Sequence, residues 1–105
     1  MPKTAVFAKI TAKPGQRDEL RAALAAMFPT VVGEEGTELY VLHDDLGDDN
    51  AVWMYELYSD DEALGTHSSS DAMTASFVAL GDLVAEPPLL VLARPVEAKG
   101  IDLGT

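Results

Sequence analysis

Apolar and polar residues alternate along three stretches of the chain, residues 4–12, 37–44 and 51–58. A period of two places successive side chains on opposite faces of a strand, so this alternation predicts three β-strands. A fourth strand is predicted over residues 89–96, where the pattern is almost continuously apolar. The Gly, Asp and Asn residues of segment 47–50 predict a tight hairpin between the second and third strands.

Two helical patterns lie between these strands. Over residues 16–28 apolar side chains recur at spacings of three and four, which is typical of an amphipathic helix. Pro29 should end the regular part of this helix, because proline cannot donate the backbone hydrogen bond of a helix interior. Ser59, followed three positions later by Glu62, forms a capping-box pattern and predicts that a second helix begins there. A further helical piece is predicted to restart near Asp71.

The predicted order is strand, helix, strand, strand, helix, strand. Two strand–helix–strand units in this order predict an α+β, ferredoxin-like fold: a four-stranded antiparallel sheet with the helices on one face. The length fits a single domain, which we place at residues 1–97, with residues 98–105 as a C-terminal tail.

Large apolar residues occupy both faces of the predicted sheet. In the last strand Leu89, Val91 and Ala93 alternate with Leu90 and Leu92. A soluble monomer rarely leaves an apolar sheet face of this size exposed to water. We therefore expect a homodimer in which a second copy covers the face opposite the helices, with a ligand pocket enclosed between the two sheets.

The charge balance excludes some classes of partner. There are 18 acidic and 7 basic residues, for a net charge of −11, and no cysteine. Nucleic acids and anionic membrane surfaces need clustered Lys and Arg, so neither is expected to bind. Without cysteine there are no disulfides, thiolate metal sites or cysteine nucleophiles. The chain has no signal-peptide pattern and no apolar run long enough to span a bilayer, so we expect a cytoplasmic protein without membrane contact.

Two residues stand out as candidates for chemistry. His67 lies on the inner face of the short second helix, where an imidazole could act as a base near neutral pH. The alternative is a buried histidine that only forms hydrogen bonds. Glu56 lies in a mostly apolar row of the third strand and needs a partner. It could orient His67, pair with Arg94 or Lys9, or act on a substrate, and a structural ion pair is the favoured interpretation.

Aromatic side chains could hold an aromatic ligand by stacking, although core packing explains each of them equally well. Four such residues are Tyr40, Trp53, Tyr55 and Tyr58. The sequence contains no glycine-rich phosphate loop, dinucleotide fingerprint or nucleophile elbow. Histidine spacing gives little support for a metal site, and a single ion held by His43, His67 and Glu56 is the one arrangement left open. No cofactor and no dedicated metal are therefore expected.

A series of short motifs follows the predicted elements along the chain: Lys13-Pro14-Gly15-Gln16, Glu34-Glu35-Gly36, Tyr40-Val41-Leu42-His43-Asp44, Tyr55-Glu56-Leu57-Tyr58, Glu62-Ala63-Leu64 with His67, and Met73 with Phe77. Their order and spacing together resemble the antibiotic biosynthesis monooxygenase (ABM) family, which includes small quinol monooxygenases. The resemblance covers residues 4–96.

The resemblance implies a dimeric α/β barrel. It also implies cofactor-free oxidation by O₂ of an electron-rich aromatic, such as a quinol or a polyketide phenol. His67 matches the recurrent helix histidine of the family, and Glu56 matches the carboxylate of its Glu-x-Trp strand. Tyr58 stands where that tryptophan is usual, and Ala72 stands where a second histidine is frequent.

We accordingly expect His67, Glu56 and Tyr58 to be catalytic, with His67 as base in an apolar pocket. The residues expected to bind substrate are Phe7, Tyr40, Trp53, Met73 and Phe77. Two alternatives stay open on the same scaffold. One is a non-oxidative isomerase of a small carbonyl metabolite, and the other is a non-catalytic dimer that binds a small molecule.

Overall fold

Four antiparallel strands form one sheet in the computed structural model, which describes residues 2–103. The elements in chain order are β1 (Thr4–Thr11), α1 (Arg17–Ala25), α2 (Phe28–Val32), β2 (Thr37–Asp44), β3 (Ala51–Tyr58), α3 (Asp61–Ser68), α4 (Asp71–Leu80) and β4 (Leu89–Ala93). The strand order is β2-β3-β1-β4, and every neighbouring pair is antiparallel. The predicted α+β ferredoxin-like fold is confirmed.

The first helical pattern forms two helices rather than one. The first, α1, ends at Ala25, and α2 then begins at Phe28. Pro29 lies in the first turn of α2, where a backbone N–H has no helical partner to lose, so proline is tolerated there. The prediction that proline ends the helix was therefore wrong in its position, because this proline begins a new helix.

The capping residue of α3 is Asp60 and not Ser59. The carboxylate of Asp60 accepts the backbone N–H of Ala63 at 2.8 Å, while the Ser59 N–H donates to the carbonyl of Gly36 at 2.9 Å. Aspartate caps a helix as well as serine does, so two adjacent candidates made the start ambiguous by one residue. The second bond has a larger consequence, because it ties the loop before β2 to the start of α3.

The limits of the domain and of its tail stay predictions. Met1 and residues 104–105 lie outside the described residues. The last strand ends at Ala93, three residues earlier than predicted. Beyond it, Ile101 is half-buried and lines a depression of about 300 Å³ together with Leu39 and Leu57.

The helices pack on the sheet face formed by even-numbered positions of β1 and β3. The buried core there consists of Ala8, Ile10, Ala12, Leu20, Leu24, Val52, Met54 and Leu80. Burial of aliphatic side chains from both layers contributes about 25 cal/mol per Å² of apolar surface removed from water, and it holds α1 and α4 against the strands. None of the helices within residues 2–103 is long and apolar enough to cross a membrane.

The opposite sheet face, which we call the open face, carries no helix. It is formed by odd-numbered strand positions, and Phe7 on it pairs across the sheet with Tyr55 and Val91. Every residue of β4 is exposed in the single chain, and Val91 is 45% exposed. The strand residues that the structure describes on this face include Lys9 and His43 but no Asp or Glu. The strand positions of this face are therefore mainly apolar and carry no carboxylate, although Asp45, just beyond β2, accepts the indole N–H of Trp53 at 2.7 Å.

Replacing Gly36 by alanine should destabilise the fold. A methyl group at Gly36 would overlap the Cβ of Ala63 in α3, so the loop or the helix would have to move. We expect a loss of about 1–3 kcal/mol, typical of overpacking, in the free energy of unfolding measured with denaturant.

Gly65 provides the matched control, because it lies within α3 and a methyl group there would meet no other atom within 4 Å. Gly65→Ala should stabilise the protein by about 0.5–1 kcal/mol, since alanine is the better residue inside a helix. Equal effects of the two substitutions would show that the loop is not packed closely against α3.

Candidate functional site

His67 lies in the last turn of α3, on the side that faces the sheet. Its side chain is only 4% exposed. The imidazole contacts two phenol rings that project from the helix side of the sheet, with centroids 5.4 Å from Tyr40 and 5.4 Å from Tyr58. The structure therefore brings together three residues that the sequence analysis had selected as candidates.

The hydrogen-bonding partner of His67 is Glu34, which the sequence analysis had placed only within a loop motif. The Nδ1 atom of His67 lies 2.7 Å from Oε1 of Glu34. The same oxygen accepts the hydroxyl of Thr37 at 2.9 Å. No periodic pattern marks Glu34, because it lies in the turn between α2 and β2. Its place in the family motif was the one signal that could have drawn attention to it.

Glu56 is hydrogen-bonded to Tyr58 rather than paired with a cation. The two residues are two positions apart on β3, so they share a face, and the Tyr58 hydroxyl donates to Oε1 of Glu56. Arg94 instead donates to the backbone oxygen of Lys3 at 2.8 Å, and Lys9 lies over the ring of Trp53. The favoured prediction of a structural ion pair for Glu56 was therefore wrong.

Burial shifts the proton affinities in this cluster towards neutral forms. It raises the pKa of Glu56 above its ordinary value, and the hydrogen bond from Tyr58 only partly opposes this shift. Burial, with the nearby Glu56 carboxylate, also raises the pKa values of Tyr40 and Tyr58. Both phenols are therefore neutral hydrogen-bond donors at neutral pH.

A cavity of about 500 Å³ borders His67 on the side of the α2–β2 loop and the start of α3. Its lining residues are Gly33, Glu34, Glu35, Gly36, Thr37, Asp60, Glu62, Ala63, Thr66 and His67. The lining contains four carboxylates and neither Lys nor Arg. The expectation of an apolar pocket around His67 is corrected in this respect, because acidic side chains border the accessible space next to the imidazole together with apolar surface.

The predicted substrate-binding residues do not share one pocket. Tyr40 contacts His67, whereas Phe7 and Trp53 line a separate cavity of about 440 Å³ on the open face. Met73 is buried in α4, and Phe77 is 60% exposed. The reason is geometric: α3 carries His67 to the helix side of the sheet. A chamber between two sheets would lie on the other side, so the predicted position of His67 at its wall was wrong.

The positions of His43, His67 and Glu56 also exclude the arrangement in which all three would bind one metal ion. His43 lies on the open face, and the other two lie on the helix face. Within residues 2–103 no group of three or more His, Asp and Glu side chains is arranged to hold a metal ion.

Comparison with known proteins identifies the family of the chain. Residues 4–78 match the family described as antibiotic biosynthesis monooxygenase, which is most of the chain and includes β1 to α4 up to Val78. The chain belongs to the ABM family. This match confirms the resemblance inferred from the motifs, and it covers both Glu34 and His67.

Several individual proteins resemble the chain along nearly their whole length. "Putative monooxygenase Rv0793" of Mycobacterium tuberculosis is 28% identical over 93 residues, covering 89% of this chain and 91% of that protein. Its solved structure has a TM-score of 0.84, and the match covers 91% of this chain and 97% of that one. Protein SO0527 of Shewanella oneidensis has a TM-score of 0.86 at 26% identity, covering 92% and 94% of the two chains.

A solved structure from Caulobacter crescentus, described as a putative antibiotic biosynthesis monooxygenase, has a TM-score of 0.87 at 24% identity. The match covers 91% of this chain and 92% of that one, and at this identity it supports the fold alone. The ABM family and the fold are thus established together.

The raised pKa of Glu56 predicts how this ABM protein responds to pH. The folded state binds the Glu56 proton more tightly than the unfolded state does, so stability decreases as pH rises through the folded-state pKa. Glu56→Gln keeps an oxygen that accepts the Tyr58 hydroxyl and removes the charge. We expect this variant to melt at a higher temperature than the wild type at neutral pH, with the difference vanishing below the ordinary pKa of 4.5.

Glu56→Met serves as the control for this melting series. It removes the charge and also the acceptor, which leaves the buried Tyr58 hydroxyl unsatisfied at a cost of about 1–3 kcal/mol. It should therefore lack the full gain of the glutamine variant. A melting-temperature gap between Glu56→Gln and wild type that widens on acidification would contradict the assignment.

Proposed function

We propose that this chain is a monooxygenase that oxidises a quinol or a similar small electron-rich phenol with O₂, with His67 as the base. One observation carries the proposal: a buried imidazole of an ABM protein borders an open cavity of about 500 Å³. The cavity has room for a single aromatic ring with small substituents, and two phenols lie behind the imidazole. An oxidation that begins with loss of a phenolic proton needs a base in this position.

The chemistry balances without another reductant. His67 takes a proton from the quinol, and the resulting phenolate gives one electron to O₂. Recombination of the semiquinone with superoxide forms a carbon–oxygen bond, and the His67 imidazolium returns its proton to give a hydroperoxide. Loss of water from this hydroperoxide then leaves a hydroxyquinone. One quinol and one O₂ give one hydroxyquinone and one water, so the quinol supplies every electron that O₂ accepts. The protein supplies the base.

The lining of the cavity favours an uncharged substrate. The side chains of Glu35 and Glu62 form no hydrogen bond or ion pair with other described residues. Their negative charges are therefore not neutralised by a neighbouring group of the protein. A carboxylate on the substrate would be repelled by these groups, within the Debye length of about 10 Å at 0.1 M salt. A neutral quinol avoids this repulsion, and its anion forms only after binding.

Oxygen consumption tests the proposed activity. Wild-type protein should accelerate O₂ uptake with methylhydroquinone, yield hydroxyquinone, and incorporate one labelled atom from ¹⁸O₂. His67→Ala should lower kcat by about 10²–10⁴, the usual contribution of a general base. 2,5-Dihydroxybenzoate, which adds a carboxylate, should show a higher KM than the neutral quinol.

Two controls make this assay decisive. His43→Ala removes the other histidine, which lies on the opposite face of the sheet, and should leave the rate unchanged. Catalase recovers O₂ from the hydrogen peroxide of spontaneous quinol oxidation and should recover none from the enzymatic reaction.

Absence of O₂ uptake across a panel of hydroquinones and anthrones would contradict the proposal. Solvent proton exchange into a carbonyl substrate without uptake would indicate the isomerase.

We also propose that the protein is a homodimer associated through the open face. Phe7, Val41 and Val91 are all partly exposed there in the single chain. The face has no Asp or Glu at its strand positions, although the chain has a net charge of −11. A second copy can therefore approach on this side without bringing carboxylates of the strands together, and it would remove the apolar residues from water.

The state of association should depend on Val91. Val91→Lys places a charge at the apolar face and should convert a dimer of about twice the 11.2 kDa chain mass into a monomer in sedimentation equilibrium. Val78→Lys is the matched control, since Val78 is exposed on α4 and away from that face. A monomeric wild type at micromolar concentration would contradict the proposed dimer.

A further inference from the structure

We propose that Glu34 is a positioning residue that holds His67 as the Nδ1–H tautomer, which leaves the lone pair on Nε2 to accept the substrate proton. The role in catalysis rests on the proposed function, whereas the tautomer can be measured without it. Three sets of contacts support the assignment: those of the carboxylate, those of the loop that carries it, and those of the other acidic group in the cluster.

The carboxylate of Glu34 determines which nitrogen carries the proton. An ionised carboxylate only accepts hydrogen bonds, so a neutral imidazole that contacts it at 2.7 Å through Nδ1 must donate from that atom. The Thr37 hydroxyl donates to the same Oε1 atom at 2.9 Å, which further restricts the carboxylate to the role of acceptor. In a neutral ring one nitrogen is then a donor and the other an acceptor, so Nε2 is left as the base.

The backbone around Glu34 holds the carboxylate in place before any substrate binds. Its N–H donates to the Val31 carbonyl at 2.9 Å, and its own carbonyl accepts the N–H of Thr37 at 3.2 Å. Gly36, two residues after Glu34, approaches Ala63 closely. The same turn therefore packs against α3, the helix that carries His67. The pair is therefore preorganised by the fold and needs no rearrangement to form.

The other acidic group of the cluster is already engaged. Glu56 accepts the hydroxyl of Tyr58, and the groups whose rings face the imidazole are the two neutral phenols of Tyr40 and Tyr58. Of the buried or half-buried carboxylates around His67, only Glu34 has a hydrogen bond to its ring among the described contacts. Orientation of His67, which the sequence analysis had considered for Glu56, is thus assigned to Glu34.

The tautomer can be read directly by ¹⁵N NMR of the imidazole nitrogens, under conditions where the ring is neutral. The chain has two histidines, so His43→Gln assigns the signals of His67. In the wild type we expect a protonated Nδ1 and an unprotonated Nε2. In Glu34→Gln the amide can accept or donate, so the ring should become a mixture of tautomers. The kcat for quinol oxidation should fall on the order of ten- to a hundredfold, with a smaller change in KM.

Glu38→Gln is the matched control, because it makes the same change four residues away on a carboxylate that pairs with Lys3. It should leave both the tautomer and kcat as in the wild type. Thermal unfolding checks that Glu34→Gln is folded. If it is not, Glu34→Asp keeps the charge but withdraws the carboxylate by one methylene, and it should give the same mixture.

Two results would overturn the assignment: an Nε2–H tautomer in the neutral ring of the wild type, or an unchanged tautomer in a folded Glu34 variant. These outcomes are separate from the failure of the proposed function. A wild type that consumes no O₂ with any quinol would remove the oxidation, while the NMR spectrum would still decide whether Glu34 sets the tautomer.

Discussion

The burial of acidic and phenolic groups beneath α3 is the constraint on which the site depends. Glu56 loses most of its hydration at this position, and such a group must find a partner or become protonated. Tyr58 provides that partner on the same strand, and the helix then covers both with the ring of His67. Among the described residues that are not exposed, no fully buried side-chain nitrogen or oxygen lacks a hydrogen bond. The cluster is therefore compatible with a stable fold and still contains groups that can exchange protons.

The sequence analysis predicted that His67 and the apolar sheet residues border the same chamber. In the structure they lie on opposite faces of the sheet. The helix face holds His67, Glu56 and a cavity with an acidic lining, whereas the strand positions of the open face are mainly apolar and aromatic and carry no carboxylate. Association through the open face would leave the cavity beside His67 accessible, because the two lie on opposite sides of the strands. Substitutions can thus be designed on either face with little direct contact with the other.

The regular elements were predictable because their signals are periodic. Strands β2 and β3 begin and end where the alternation of residues 37–44 and 51–58 does. The errors came from signals that are local or depend on tertiary contacts. Asp60 and Ser59 are equivalent as caps in sequence, and only the bond from Ser59 to the α2–β2 loop separates their roles. The face that His67 occupies was predictable relative to its helix, but the side of the sheet on which that helix packs was not.

Glu34 illustrates a different reason why sequence reasoning falls short. A carboxylate in a turn carries no periodic signal, and its function here depends on a contact across 33 positions of sequence with His67. The close packing of Gly36 on α3 brings the turn that carries Glu34 next to the helix that carries His67. In a single sequence the three residues look like an ordinary acidic turn, a small residue and an isolated histidine.

The acidic surroundings of His67 are consistent with its proposed role as a base. Proton transfer from a neutral quinol creates an imidazolium and a phenolate, so the first charge that the protein must stabilise is positive. Glu34 contacts the imidazole directly, and Glu56 lies near enough to interact electrostatically with it. These carboxylates would oppose the entry of an anion, yet they stabilise the protonated base once the neutral substrate has bound. In the proposed reaction the phenolate would then lie against a cation rather than a bare carboxylate, which would offset its repulsion by the acidic lining until its electron passes to O₂.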